Sequence, residues 1–248
     1  MSLLFIFLSL LFSITTNAEQ VNVGLEPFPP LINEDKTGVL IEALNQIALN
    51  SELSFNFQLM TYARAKKELK KGNLQLIGLT PQHQETPDFY QYAQELNWSI
   101  DTTLDIFSLQ PSLKEITQFE DFTIGTLIGN AEFFSQTLTI PQKKFVEVSS
   151  LPQLVKMLSK GRIKAIIFER IATMTTIEQL QTQGIYYQKI INLPASIAVQ
   201  KNELGFKLKK QLDKLLSPSQ LMTEHVMLSR YYGLPDSGLV DSSHQTKK

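Results

Sequence analysis

The sequence predicts an α/β protein of two similar lobes. Two observations carry this: short apolar strands alternate with amphipathic helices between Val21 and Ile77, and the same order returns between Phe122 and Phe168. The apolar fraction, 43% of 248 residues, is that of a folded globular chain, and the length suits two lobes of roughly 100 residues each.

Val21 to Leu25 alternates as a strand and is broken by the rigid loop Glu26-Pro27-Phe28-Pro29-Pro30. Leu40, Ile41, Leu44, Ile47 and Ala48 fall at helical spacing, and Leu53, Phe55, Phe57 and Leu59 alternate again. Tyr62 to Lys71 reads as a helix stopped by Gly72, with a strand over Leu74 to Ile77. Strands joined by helices favour parallel pairing with crossovers. In the second copy, Phe122 to Ile128 is a strand, Ala131 to Leu138 a helix and Phe145 to Val148 a strand. Leu151, Leu154, Val155 and Leu158 share one helical face, Gly161 stops that helix, and Ile163 to Phe168 is a buried strand. The stretches Lys70-Lys71-Gly72 and Ser159-Lys160-Gly161, each leading into an apolar strand, are the internal repeat. Ile185 to Leu193 and Ile197 to Val199 follow, then helical patterns over Glu203 to Leu216 and from Ser219 to about Tyr232. The polar end from Pro235 is expected to be loose.

Ahead of the lobes, Leu3 to Ile14 is apolar but shorter than the ~20 residues a membrane-spanning helix needs. Thr16 and Ala18 stand where a signal peptidase reads, although no Lys or Arg precedes the apolar run. The segment reads as a secretory signal cleaved after Ala18, which places the mature chain in a Gram-negative periplasm.

Composition removes several classes of function. A net charge of -1 argues against nucleic acid, whose phosphates demand a basic excess. The absence of Cys excludes disulfide scaffolds, thiolate metal sites, Cys nucleophiles and a lipidated N-terminal Cys. His83, His225 and His244 are scattered without metal-ligand spacing, and no H-E-x-x-H, G-x-S-x-G, Walker or G-x-G-x-x-G motif occurs. No catalytic residue, metal or cofactor is expected. What remains is a set of residues just after strands, where open α/β sheets place ligands: Phe28, Tyr62, Arg64, Thr80, Asn130 and Glu169.

The order of these segments resembles the type II periplasmic solute-binding proteins of the polar amino-acid kind. The resemblance covers residue 21 to about residue 232. It rests on the Val21 to Pro30 strand and Pro-Phe loop, Gly38-Val39-Leu40-Ile41-Glu42, Leu69 to Ile77, Thr80-Pro81 with Asp88-Phe89, and Gly161 through Glu169. It implies two Rossmann-like lobes joined by a two-strand hinge, with residues 19–107 and 194–234 in lobe 1, 108–193 in lobe 2 and 235–248 a flexible tail. Hinge strands are expected near Ile106-Phe107-Ser108 and Leu193-Pro194-Ala195. It further implies a monomer that captures a small polar solute, amino-acid-like or another small organic anion, for an inner-membrane ABC permease. A sensory receptor is the alternative partner, and a dehydratase-like enzyme the third reading.

In such binders an Arg after Thr-Pro clamps the ligand carboxylate; here His83 holds that position. A neutral imidazole is a poor substitute for a two-pronged guanidinium, so Arg64 is the other candidate for an anionic group, or else a solvated residue at a helix start. Glu169 would accept a hydrogen bond from the ligand or serve as a helix N-terminal acid. Phe28 reads as a stacking platform or core, and Asn130 as a ligand contact or a helix cap. Trp98, Tyr62 and Tyr92 could face a cleft, though aromatic residues are more commonly core, and Lys66, Lys67, Lys70 and Lys71 read as a solvated helix face.

Overall fold

The computed structural model describes residues 19–111, 122–216 and 226–241. Residues 1–18, with the expected signal, and His225 and His244 lie outside the described residues.

The first sheet has the strand order β2-β1-β3-β10-β4. β1 (Glu19–Leu25) lies parallel to β2 (Leu53–Leu59) and to β3 (Leu76–Pro81), with α1 (Val39–Leu49) and α2 (Tyr62–Lys71) as the crossovers. α1 buries Leu40, Ile41, Leu44 and Ile47, the face seen in the sequence. α2 ends where Gly72 adopts φ 83, a left-handed conformation that glycine tolerates. The short α3 (Phe89–Tyr92) and β4 (Ala93–Glu95) close this sheet with β10 (Ala195–Gln200), which runs antiparallel to β3 and β4.

The second sheet has the order β11-β9-β5-β8-β6-β7. β6 (Ile124–Leu127) is parallel to β7 (Phe145–Val148) and β8 (Ala165–Glu169) through α4 (Ala131–Leu138) and α5 (Leu151–Ser159). β5 (Thr103–Ser108) pairs antiparallel with β8 and with β9 (Tyr186–Asn192). Parallel pairing therefore holds for the crossover units, while the strands by which the chain enters or leaves a sheet run antiparallel. α6 (Arg170–Gln179) follows β8, and its residues 170–177 are all buried. α7 (Glu203–Leu215) packs on the first sheet.

The chain crosses between sheets before β5, again between β9 and β10, and a third time between α7 and β11. The second crossing, at Leu193 and Pro194, falls where the sequence places a hinge. The first does not: Ile106-Phe107-Ser108 lies inside β5, hydrogen-bonded on both sides, and the crossing precedes Thr103. A buried core strand and a crossing strand look alike in sequence, which explains the displacement. Two further expectations change at the C-terminal end. Arg230 and Tyr231 meet α6, with Tyr231 Oη 2.8 Å from Thr175 Oγ1 and Arg230 paired to Glu178, rather than the first sheet. Nor is the end wholly loose, because β11 (Ser237–Leu239) pairs with Tyr186–Gln188 and buries Val240 behind it.

Candidate functional site

β1, β3, β6 and β8 all end toward the space between the sheets. Glu26 and Phe28 follow β1, and Thr80 lies near the end of β3. Asn130 follows β6, and Glu169 ends β8. Phe28, Tyr62, Thr80, Asn130 and Glu169 line one inner cavity of about 70 Å³, together with Thr102 and Leu193 at the crossings. The rings of Phe28 and Phe168 meet across the sheets at 5.9 Å, tilted by 54°. Phe133 and Phe134 of α4 add a second aromatic wall.

Glu26 is the residue missed in the sequence. It is 6% exposed, and its Oε1 accepts a hydrogen bond from the Tyr62 amide at 3.0 Å. Burial pushes its carboxyl up to about 7, against the lowering effect of that amide and of Lys66. A charged residue between a strand and a Pro-rich loop reads as solvated, and only the signal that polar residues after strands face ligands could have found it. Glu26 also lines an outer cleft of about 410 Å³, whose walls include Glu34 and Asp35 from one sheet and Ser150 and Gln179 from the other.

Glu169 is the helix N-terminal acid of one reading, and it lies beside the cavity. It caps α6, accepting from the amides of Ile171 at 2.9 Å and Ala172 at 2.7 Å and from the Thr102 hydroxyl. Three donors would favour the carboxylate, yet full burial outweighs them and raises its pKa to about 7. Asn130 makes no side-chain cap on α4; its side-chain amide donates to the Leu127 carbonyl. The cap comes instead from Glu147, whose Oε1 accepts from the amides of Gly129, Asn130 and Ala131 at 2.7, 3.1 and 3.1 Å. Tyr62 is buried, with its hydroxyl committed to Glu85 at 2.8 Å. Thr80 is fully buried and bonded to the Ser196 carbonyl.

Neither cation expected at the site lines the cavity. Arg64 is exposed on α2, where it helps hold the Glu68 carboxyl down. His83 sits at φ 60 with its side chain 78% exposed, and its Nδ1 lies 3.3 Å from Glu95. The turn after β3 carries it away from the space between the sheets. Trp98 is core at 2% exposure. The lysines of α2 do face solvent or local acids, as in the Lys66–Glu85 and Lys70–Asp88 pairs. Among the described residues no cluster of acids or histidines could hold a metal ion, and no helix is long and apolar enough to cross a membrane.

No protein-family model and no curated protein sequence matches the chain. Solved structures do match. A substrate-binding protein of an ABC uptake transporter from Streptococcus pneumoniae, with bound histidine, superposes with a TM-score of 0.70 at 14% identity, covering 89% of this chain and 95% of that one. A histidine kinase sensor domain with similarity to periplasmic binding proteins gives 0.69 at 12%, covering 88% and 97%. A mutant of ArgBP from T. maritima gives 0.67 at 15%, covering 86% and 95%. At these identities the likeness speaks for fold alone. The chain has the two-lobed α/β fold of the type II periplasmic binding proteins.

Proposed function

We propose that this chain is a non-catalytic binding protein that captures a small organic solute between its two sheets and presents the closed form to a membrane partner. The observation that carries the reading is the inner cavity, walled by residues of both sheets and by Thr102 and Leu193 at the first two crossings. Rotation about those crossings would open it, and a solute touching both walls would hold it shut. The partner is an ABC-type permease. A signalling receptor is the second reading, supported by the fit of the kinase sensor domain, which equals that of the transporter protein within 0.01 in TM-score. Phe28, Tyr62, Thr80, Asn130 and Glu169, with Glu26, are the proposed ligand contacts; Arg64 and His83 are left out because they do not border the cavity. The working form is a periplasmic monomer released after Ala18, so the exported protein should begin at Glu19 by mass analysis. Met1 retained on the exported protein would contradict this.

Native mass spectrometry of protein purified without unfolding identifies the solute, and small-angle scattering then tests capture. The radius of gyration should fall on saturation. An unchanged radius with proven occupancy would overturn closure around a ligand.

A further inference from the structure

The walls of the space between the sheets carry charge of one sign. The inner cavity is bordered by Glu26 and Glu169, and the outer cleft by Glu26, Glu34 and Asp35. Among the described residues no Lys, Arg or His lines either. Glu26, 6% exposed, is shared by both spaces, and of its two carboxylate oxygens only Oε1 has a hydrogen bond among the described residues. A carboxylate buried to this extent is costly unless something compensates it.

The nearby cations are engaged or turned away. Lys66 pairs with Glu85 at 3.3 Å and lies 4.6 Å from the Tyr62 ring centroid. Lys36 is exposed in the loop after Asp35, and Arg64 is exposed on α2. At the inner cavity the openings of α4 and α6 are also taken, while the opening of α5, which has no side-chain cap, borders only the outer cleft. Glu147 occupies the amides opening α4, and Glu169 those opening α6. In the inner cavity a solute carboxylate would therefore meet acids and already-bonded amides, whereas a cation would meet a free carboxylate oxygen and aromatic faces. Phe28, Phe168, Phe133 and Phe134 supply the ring surface that attracts organic ammonium groups.

We propose that the solute is a small organic cation without a carboxylate, its ammonium group held by Glu26 against the aromatic wall. This rests on the reading above that the space between the sheets is the ligand site. Glu169, already committed to α6, shapes the field of the cavity, and Glu34 and Asp35 draw cations toward its mouth.

Isothermal titration of the full mature chain at pH 8 tests it with choline, ethanolamine, 3,3-dimethyl-1-butanol as the uncharged analogue of choline, L-glutamate and calcium chloride. Choline or ethanolamine should bind, and the uncharged alcohol should bind at least about ten-fold more weakly than choline. Glu26→Gln, which keeps an acceptor for the Tyr62 amide, should weaken choline by roughly ten-fold or more and leave the alcohol unchanged. Phe168→Leu should weaken choline more than the alcohol. Failure of both ammonium probes to bind, or equal affinity for choline and the alcohol, overturns the proposal. So does preference for L-glutamate or calcium. If a neutral or anionic solute binds and contracts the radius of gyration, capture between the sheets stands and only the cation assignment falls.

Discussion

Asp105, in the middle of the second sheet, and Glu26, at the end of β1, are both withdrawn from water, and they are compensated differently. Asp105 is fully buried, and Arg170 Nε meets its Oδ2 at 2.6 Å, with Thr103 bonded to the other oxygen. Burial pushes that carboxyl up while the guanidinium beside it pulls it down. Arg170 in turn lies over the Tyr187 ring at 4.9 Å and donates to the Pro235 carbonyl. Glu26 has a single amide and no adjoining guanidinium, and its carboxyl rises to about 7. The first acid is held by its own fold. The second has no such partner among the described residues.

That contrast predicts opposite responses to the same chemical change. Asp105→Asn leaves Arg170 buried without its carboxylate and should cost about 3–5 kcal/mol in urea unfolding. Glu26→Gln should do the reverse. A carboxyl whose pKa is about 7 in the folded chain and near its ordinary value of 4.5 when unfolded favours folding below 4.5. That contribution is lost as pH rises through 7. At pH 8 the amide should therefore stabilise by up to about 3 kcal/mol, and at pH 4 by almost nothing. Destabilisation by Glu26→Gln at pH 8 would mean that the carboxylate is satisfied within the chain. Glu169→Gln should gain less than Glu26→Gln at pH 8, because one end of the new amide would face the Ile171 or Ala172 N–H and lose about 1 kcal/mol of capping.

A smaller effect is expected where the sheets approach each other outside the acids. Gly129 has φ +96, and a Cβ there would stand 2.7 Å from the Ala63 Cβ at the start of α2. Gly129→Ala should cost about 1 kcal/mol through backbone conformation and hold the two lobes slightly apart. Scattering should show a larger radius for the variant than for the wild type in the presence of ligand, and weaker binding with it.

The sequence shows its lobes clearly because most helices present one apolar face. α2 and α4 match their expected bounds because Gly72 and the Leu127 to Asn130 turn punctuate them sharply. α6 is illegible as a helix, since burial on all sides removes the period that would reveal it. The end of the chain misleads in the other direction: Gly, Ser and Pro suggest a loose tail, but tertiary pairing with β9 makes a strand of Ser237–Leu239. Five residues expected at the site do border the cavity, since their positions follow from strand ends. Arg64 and His83 do not, because whether a side chain on a helix or turn faces inward depends on rotation that a single linear pattern leaves open. Glu26 escapes notice for a related reason: nothing local distinguishes a buried acid from a solvated one.

Calorimetry of choline binding at pH 6.5, in two buffers of different ionisation enthalpy, tests most directly whether Glu26 is kept for a ligand's charge. With a carboxyl pKa of about 7, most free molecules carry the proton at that pH. A bound cation should drive it off. The wild type should release more than roughly half a proton per ligand, and Glu26→Gln clearly less at any residual binding. Binding without proton release, or with equal release in the variant, would contradict the account.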